Sequence, residues 1–196
     1  AAAGLVVAPY YNRPNQEGIY AHFEAMTKKN DLPIVLYNVP ARTVTDIKPE
    51  TVARLAQLPT VIGIKDASGD MPRVTDHRLA CGPDFCLLSG VDEQSLAFNA
   101  AGGRGCISVT ANVAPKLCAE FQAACASGDY NLARELNDTL YPLHLALFSD
   151  ASPGPIKYAL SRVIEGFPTE LRLPMTPPSE ASRRQVDAAL ENAGLI

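Results

Sequence analysis

Short apolar runs alternate with segments of helical periodicity along the first half of the chain, and this alternation limits the possible folds more than any other feature. The apolar runs cover residues 5–8, 33–37, 61–65, 85–88 and 105–109. In the first connection Ile19, Phe23 and Met26 are spaced along one helical face, and in the second Pro49 suits the first position of a helix. Such alternation indicates βαβ units and a parallel sheet. The run 61–65 predicts a strand that is buried on both faces.

The pattern changes after the fifth apolar run, because four helical segments follow with no strand between them. These segments cover residues 115–127, 131–148, 155–165 and 180–193. Gly128-Asp129 and Gly166 are typical helix stops. We therefore expect an α/β region over residues 1–127 and a helical domain over residues 128–196.

Composition and charge exclude several classes of function. The chain has 196 residues and a formal net charge of −4, which gives no electrostatic basis for binding nucleic acid or an anionic membrane surface. No apolar run approaches the roughly 18 residues that a membrane span needs. The first turns after strands contain no glycine-rich phosphate-binding motif, and the glycines of "AGGRG" (101–105) precede a strand, which favours a tight turn.

Five cysteines and three histidines offer neither a disulfide framework nor a metal site. The cysteine count is odd and no CxxC pair occurs, which favours reduced thiols in a cytoplasmic protein. The histidines pair with no cysteine or carboxylate at ligand spacing. We therefore predict no metal ion.

Polar side chains collect where the predicted strands end, which is where α/β barrels carry their reactive groups. Lys65 closes the run "VIGIK", Tyr37 closes the neighbouring run, and Arg42 follows in the next loop. If those two strands are neighbours, Lys65 and Tyr37 end at similar heights and can meet. A lysine amine attacks a carbonyl carbon only when neutral, a nearby phenol can transfer protons, and a guanidinium can bind a carboxylate through two hydrogen bonds.

The same residues have simpler interpretations. Lysine is almost never buried without a partner, so Lys65 could lie one residue beyond the core in water. Tyr37 could be a core tyrosine and Arg42 a surface arginine. From the pattern alone, both interpretations stay open.

Six motifs occur in an order that resembles the dihydrodipicolinate synthase family of pyruvate-dependent class I aldolases. They are "APYYNRP" (8–14), "YNVPART" (37–43), "GIKDASG" (63–69), "LLSG" (87–90), "GCISVTANV" (105–113) and "LRLPMTP" (171–177). The resemblance implies a (β/α)8 barrel, here strands 4–8 only, followed by a C-terminal helical domain. It also implies three further βα units before these residues, with a threonine that completes a proton relay. We therefore expect these 196 residues to be the C-terminal two-thirds of such a protein.

The resemblance also implies an activity. Family members condense pyruvate with L-aspartate 4-semialdehyde to 4-hydroxy-tetrahydrodipicolinate, in lysine and diaminopimelate biosynthesis, without a cofactor. Lys65 resembles the lysine that forms the covalent imine with pyruvate, and Tyr37 resembles the proton donor and acceptor. Tyr11 resembles a tyrosine that is lent across a dimer interface, and Arg42 resembles an arginine that binds a carboxylate. Ile107 and Gly90 resemble the wall that contacts pyruvate, and Tyr10 matches a residue near a lysine-inhibition site.

Three alternatives to this activity stay open. A hydroxy-oxo-acid aldolase is the nearest alternative. Sialic-acid aldolases resemble the chain at the same lysine and tyrosine, although they typically lack an arginine at the position of Arg42. A catalytically inactive half-barrel that acts as a binding partner is the third. The resemblance further suggests a homotetramer built from dimers, and it leaves open whether L-lysine is a feedback inhibitor.

Overall fold

Four parallel strands form the sheet of the computed structural model, which describes residues 1–196 in full. The strands are β1 (Gly4–Val7), β2 (Ile34–Asn38), β3 (Val61–Asp66) and β4 (Cys86–Ser89), and each pairs with the next in chain order. Helices α1 (Gln16–Thr27), α2 (Pro40–Thr43), α3 (Pro49–Leu55) and α4 (Pro72–Cys81) connect them. The predicted parallel α/β arrangement is confirmed for these strands.

The helix starts follow from local sequence chemistry. The Asn15 side chain accepts a hydrogen bond from the backbone N–H of Gly18, which caps α1, and Pro49 occupies the start of α3. The predicted apolar face of α1 is confirmed, because Ile19 and Phe23 are fully buried and Met26 packs against the same core. This core covers one face of the sheet, where Leu36 and Ile64 are completely buried.

The expectation of a strand buried on both faces is wrong for part of the sheet. Leu5 is 46% exposed and Ile62 is 41% exposed, and the Tyr37 and Lys65 side chains are only partly buried. The core helices pack against the face that carries Leu36 and Ile64, whereas Leu5, Tyr37 and Lys65 lie on the opposite face. A β-bulge between Ile34 and Val35 shifts the register beside Ile62.

The prediction of a fifth strand over residues 105–109 is also wrong. Only Cys106 forms a bridge, to Ser89, and the backbone of Val109 already has right-handed helical angles. The backbone has turned into helical angles by Val109, so the pairing stops after this single bridge. Before it, a 3₁₀ turn (Asp92–Gln94) and α5 (Ser95–Ala100) lead into the predicted glycine turn, where Gly102 has φ +110°.

The remaining helices all follow Ile107. A 3₁₀ turn (Thr110–Asn112) leads to α6 (Pro115–Ser127), α7 (Tyr130–Ala146), α8 (Gly154–Val163) and α9 (Glu180–Asn192). Gly128 ends α6 in the left-handed conformation, as predicted for a helix stop. Leu140, Leu143 and Leu190 are buried in the core that these helices share.

The chain divides into two compact units, Ala1–Ile107 and Ser108–Ile196. The domain division between residues 127 and 128 stays a prediction. None of the nine α-helices combines the length and the apolarity that a membrane crossing requires.

Candidate active site

The carboxyl ends of β2 and β3 bring the two principal predicted residues together. Tyr37 and Lys65 are register partners, and the Lys65 Nζ lies 4.2 Å from the centroid of the Tyr37 ring. This geometry is that of a cation–π contact, which orients the amine over the aromatic face. Lys65 is therefore not a freely solvated surface lysine, and its amine and the phenol share one small site.

Gly90 provides the space that the Lys65 side chain occupies. A Cβ at residue 90 would lie 2.9 Å from Lys65 Cε and 2.7 Å from Ala67 Cβ, both inside van der Waals contact. The Gly90 backbone N–H donates a hydrogen bond to the Asp66 carbonyl at 2.7 Å. The lack of a side chain at residue 90 thus helps to set the position of the lysine.

Ile107 lies on the segment that follows the carboxyl end of β4. Its backbone N–H donates to the Ser89 carbonyl at 2.9 Å, and its side chain is 38% exposed. The structure therefore fixes the Ile107 backbone beside the same sheet edge as Lys65. Its predicted contact with pyruvate stays a prediction.

Tyr10, Tyr11 and Arg42 are not joined to the Lys65–Tyr37 pair. Tyr10 is 63% exposed, Tyr11 is 89% exposed, and Arg42 lies exposed on α2. Their side chains form no hydrogen bond, ion pair or ring contact within the chain. Tyr11 has φ 57°, a left-handed backbone that is uncommon for a residue with a side chain. The roles of these three residues stay predictions.

A buried polar network that the sequence analysis missed lies on the other face of the same strand ends. Asn38 and Asp66 follow Tyr37 and Lys65 directly, are register partners, and are 0% and 7% exposed. Polar residues at core-facing positions need partners, so Asn38 and Asp66 were the feature of the sequence that could have indicated this network. The partner of Asn38 is Asp46, and Asp46 in turn binds Arg73.

Charges in this network shift the pKa values of its members. Hydrogen bonds from Arg73 hold the pKa of the Asp46 carboxyl below its ordinary value, against the opposing effect of burial. The same bonds raise the pKa of Arg73. Burial lowers the pKa of His77, while Asp66, whose carboxylate lies 4.0 Å from His77 Nδ1, opposes that shift.

The cysteine beside the site is not an activated nucleophile. Burial, with a smaller effect of the neighbouring Asp92 carboxylate, raises the pKa of the Cys106 thiol to about 12. The thiol is therefore protonated at neutral pH, whereas a nucleophilic cysteine needs the thiolate. All five cysteines are free thiols, and no group of three or more His, Cys, Asp or Glu side chains is arranged to hold a metal ion.

The fold and the paired side chains define a class: an α/β protein with a lysine against a tyrosine at the carboxyl edge of a parallel sheet, which is typical of Schiff-base lyases and aldolases. The sequence model of the Dihydrodipicolinate synthetase family matches residues 1–193. The chain belongs to this family.

Individual relatives agree with this assignment. The 4-hydroxy-tetrahydrodipicolinate synthase of Novosphingobium aromaticivorans is 67% identical over 198 residues, which cover 100% of this chain and 67% of that protein. A crystal structure of dihydrodipicolinate synthase from Acinetobacter baumannii, complexed with pyruvate, has a TM-score of 0.95 at 43% identity, covering 100% of this chain and 67% of that one. The enzyme from Cyanidioschyzon merolae with lysine bound has a TM-score of 0.94 at 35% identity, with coverage of 100% and 66%. The chain thus spans about two thirds of the length of these relatives.

Proposed function

We propose that the natural protein containing this chain is a Schiff-base lyase that condenses pyruvate with L-aspartate 4-semialdehyde to 4-hydroxy-tetrahydrodipicolinate. The observation that carries the proposal is the 4.2 Å distance between the Lys65 Nζ and the centroid of the Tyr37 ring. Family membership and the names of the relatives support it. In the natural protein the four strands would belong to a (β/α)8 barrel, as the resemblance implies.

The proposed chemistry begins with an imine. The neutral Lys65 amine adds to the carbonyl carbon of pyruvate, and loss of water leaves a covalent imine, so no separate cofactor is needed. Loss of a methyl proton converts the imine to an enamine, whose carbon attacks the aldehyde carbon of the second substrate. The amino group of that substrate then adds to the imine carbon and displaces the Lys65 amine, which closes the ring and frees the lysine. The Tyr37 phenol, whose ring contacts the Lys65 amine, would exchange the protons that these steps release and consume.

The exposed residues take supporting roles in this proposal. Arg42 would bind a substrate carboxylate at the mouth of the site, and its exposed guanidinium is available because it has no partner within the chain. Tyr11, at 89% exposure, would act in the site of a second subunit, which requires the dimer from which the implied homotetramer is built. Gly90 and the Ile107 backbone would form part of the wall of the pyruvate pocket.

Regulation and location are further parts of the proposal. A relative from Cyanidioschyzon merolae has been solved with lysine bound, which supports L-lysine as a feedback inhibitor that binds near Tyr10. The five free cysteines support a cytoplasmic location.

The test is borohydride trapping with pyruvate, followed by peptide mass mapping of the natural full-length gene product. We expect a reduced pyruvyl adduct on Lys65, none in Lys65→Met, and an unchanged adduct in Lys48→Met, which removes an exposed lysine elsewhere. A folded wild-type protein that forms no adduct would overturn the proposal and favour an inactive binding partner. An adduct without condensation of the semialdehyde would instead favour another pyruvate aldolase.

A further inference from the structure

The reacting pair and the buried network occupy consecutive residues of the same two strands. Because side chains alternate between the faces of a strand, Tyr37 and Lys65 face one way while Asn38 and Asp66 face the other. A shift of the backbone at Asn38 or Asp66 therefore also shifts Tyr37 or Lys65, which are their neighbours in the chain. The contacts of Asn38 and Asp66 are thus relevant to the geometry of the site.

Asn38 is held by the segment that follows α2. Its amide Nδ2 donates to Asp46 Oδ1 at 2.9 Å, and its Oδ1 accepts the backbone N–H of Ile47 at 3.0 Å. Both ends of the buried amide are therefore satisfied by two consecutive residues. The carboxyl end of β2 is fixed to this segment, and Asp46 is the charged member of the pair.

Asp46 links this segment to the helix that follows β3. Arg73, on α4, donates two parallel hydrogen bonds to Asp46, from Nη1 to Oδ1 and from Nη2 to Oδ2, each at 2.7 Å. The Arg73 side chain is only 15% exposed, and its Nε donates to Asp70 at 3.2 Å. Bidentate arginine–carboxylate pairs are short, strong and geometrically specific, so this pair sets the position of α4 against the end of β2.

The same helix reaches the end of β3. His77 of α4 places Nδ1 4.0 Å from Asp66 Oδ2, and Asp66 Oδ1 accepts the backbone N–H of Ser68 at 2.7 Å. Across the strands, the Asn38 carbonyl accepts the backbone N–H of Ala67 at 2.8 Å. Helix α4 therefore reaches the end of β2 through Asp46 and places His77 beside Asp66 at the end of β3.

We propose that Asp46 and Arg73 are positioning residues, which act through Asn38 and α4 to hold the Lys65 amine and the Tyr37 ring in contact. This inference rests on the function proposed above. Neither residue touches the reacting atoms, since both lie on the opposite face of the sheet from the Lys65 amine. Their effect is on the relative placement of the two strand ends.

The test compares Arg73→Met and Asp46→Asn with wild type in the natural full-length gene product. We expect kcat and the rate of imine formation to fall about tenfold or more, because small misplacements of reacting groups are costly, while the KM for pyruvate changes less. Arg73→Lys keeps the charge but not the two parallel N–H groups, so it should not restore the rate. Rates are measured well below each variant's melting temperature, on protein shown to be folded by circular dichroism.

The matched control is Arg54→Met. Arg54 forms an equivalent double hydrogen bond with Glu17, but this pair is exposed and joins α1 to α3, away from the strand ends. It should leave the rate of imine formation unchanged.

Three outcomes decide the inference. Rates within twofold of wild type in both folded variants would overturn the positioning role and leave only a structural one. If Arg73→Met does not fold, Asp46→Asn decides, because it retains an oxygen acceptor for Asn38. A wild-type protein that forms no adduct overturns the proposed function and this inference together, whereas a wild-type adduct with unaffected variants overturns the inference alone.

Discussion

Replacing Gly90 with alanine tests whether the empty space at that residue sets the position of the reactive lysine. The backbone at Gly90 is outside the left-handed region, so alanine meets no conformational penalty there and the effect is purely steric. The new Cβ would lie 2.9 Å from Lys65 Cε and 2.7 Å from Ala67 Cβ. Since carbon atoms pack at about 3.5–4.0 Å, the lysine stem must move by roughly 0.6 to 1 Å.

Two consequences follow from a displacement of that size. Overpacking of this kind lowers the free energy of unfolding by about 1–3 kcal/mol. A misplacement of about 1 Å costs up to roughly a hundredfold in rate, so we expect imine formation on Lys65 to slow by about ten- to a hundredfold. The larger effect should therefore be on chemistry, with the loss of stability a smaller one.

The assay is single-turnover borohydride trapping with pyruvate, with thermal unfolding measured on the same samples. Gly4→Ala is the matched control, because a Cβ at residue 4 would meet its nearest atom at 3.5 Å, an ordinary contact. Both variants should fold, and only Gly90→Ala should trap pyruvate slowly. A Gly90→Ala protein that traps pyruvate at the wild-type rate would refute the steric argument.

Three further predictions address other parts of the molecule. Tyr37→Phe should slow turnover by about 10²–10⁴-fold, the range for a lost general acid–base group, while borohydride still labels Lys65; equal loss of labelling and turnover would indicate a structural role. Val44 is a β-branched residue with φ 56° and is 64% exposed, so Val44→Asn should raise the free energy of unfolding by about 1 kcal/mol in urea titrations, and a decrease would contradict the strain. Burial lowers the pKa of His77 in the native state, so the unfolded chain binds the proton more readily. The free energy of unfolding should therefore decrease as the pH falls below the ordinary histidine pKa of about 6.5. In His77→Phe, the melting temperature should change less between pH 6.5 and 5 than it does in wild type.

The elements that sequence predicts well are those whose cause is local. Asn15, Pro49 and Gly128 mark helix ends through their own hydrogen bonds or backbone preferences, and the structure places helix ends there. The meeting of Lys65 and Tyr37 is less local, since it depends on β2 and β3 being neighbours. That condition was stated as an assumption, and the sheet order confirms it.

The parts that sequence did not predict depend on tertiary partners. Residues 105–109 have the composition of a strand, yet only Cys106 forms a bridge, to Ser89 of β4. The bond between Asp46 and Arg73 joins residues on separate elements, and neither residue type reveals such a partner. The polar residues Asn38 and Asp66, at positions where alternation places the core, were the only local sign of that network.

The strand order has a consequence for how the protein folds during its synthesis. Each strand of the sheet pairs with the strand made just before it, from β1 through β4. Among these four strands, none has to wait for a partner encoded much later, so the loop-closure entropy of their pairing is lost in small steps as the chain leaves the ribosome. The Tyr37–Lys65 pair can form as soon as β3 has emerged and paired with β2. Gly90, which leaves space for the lysine side chain, emerges later, directly after β4.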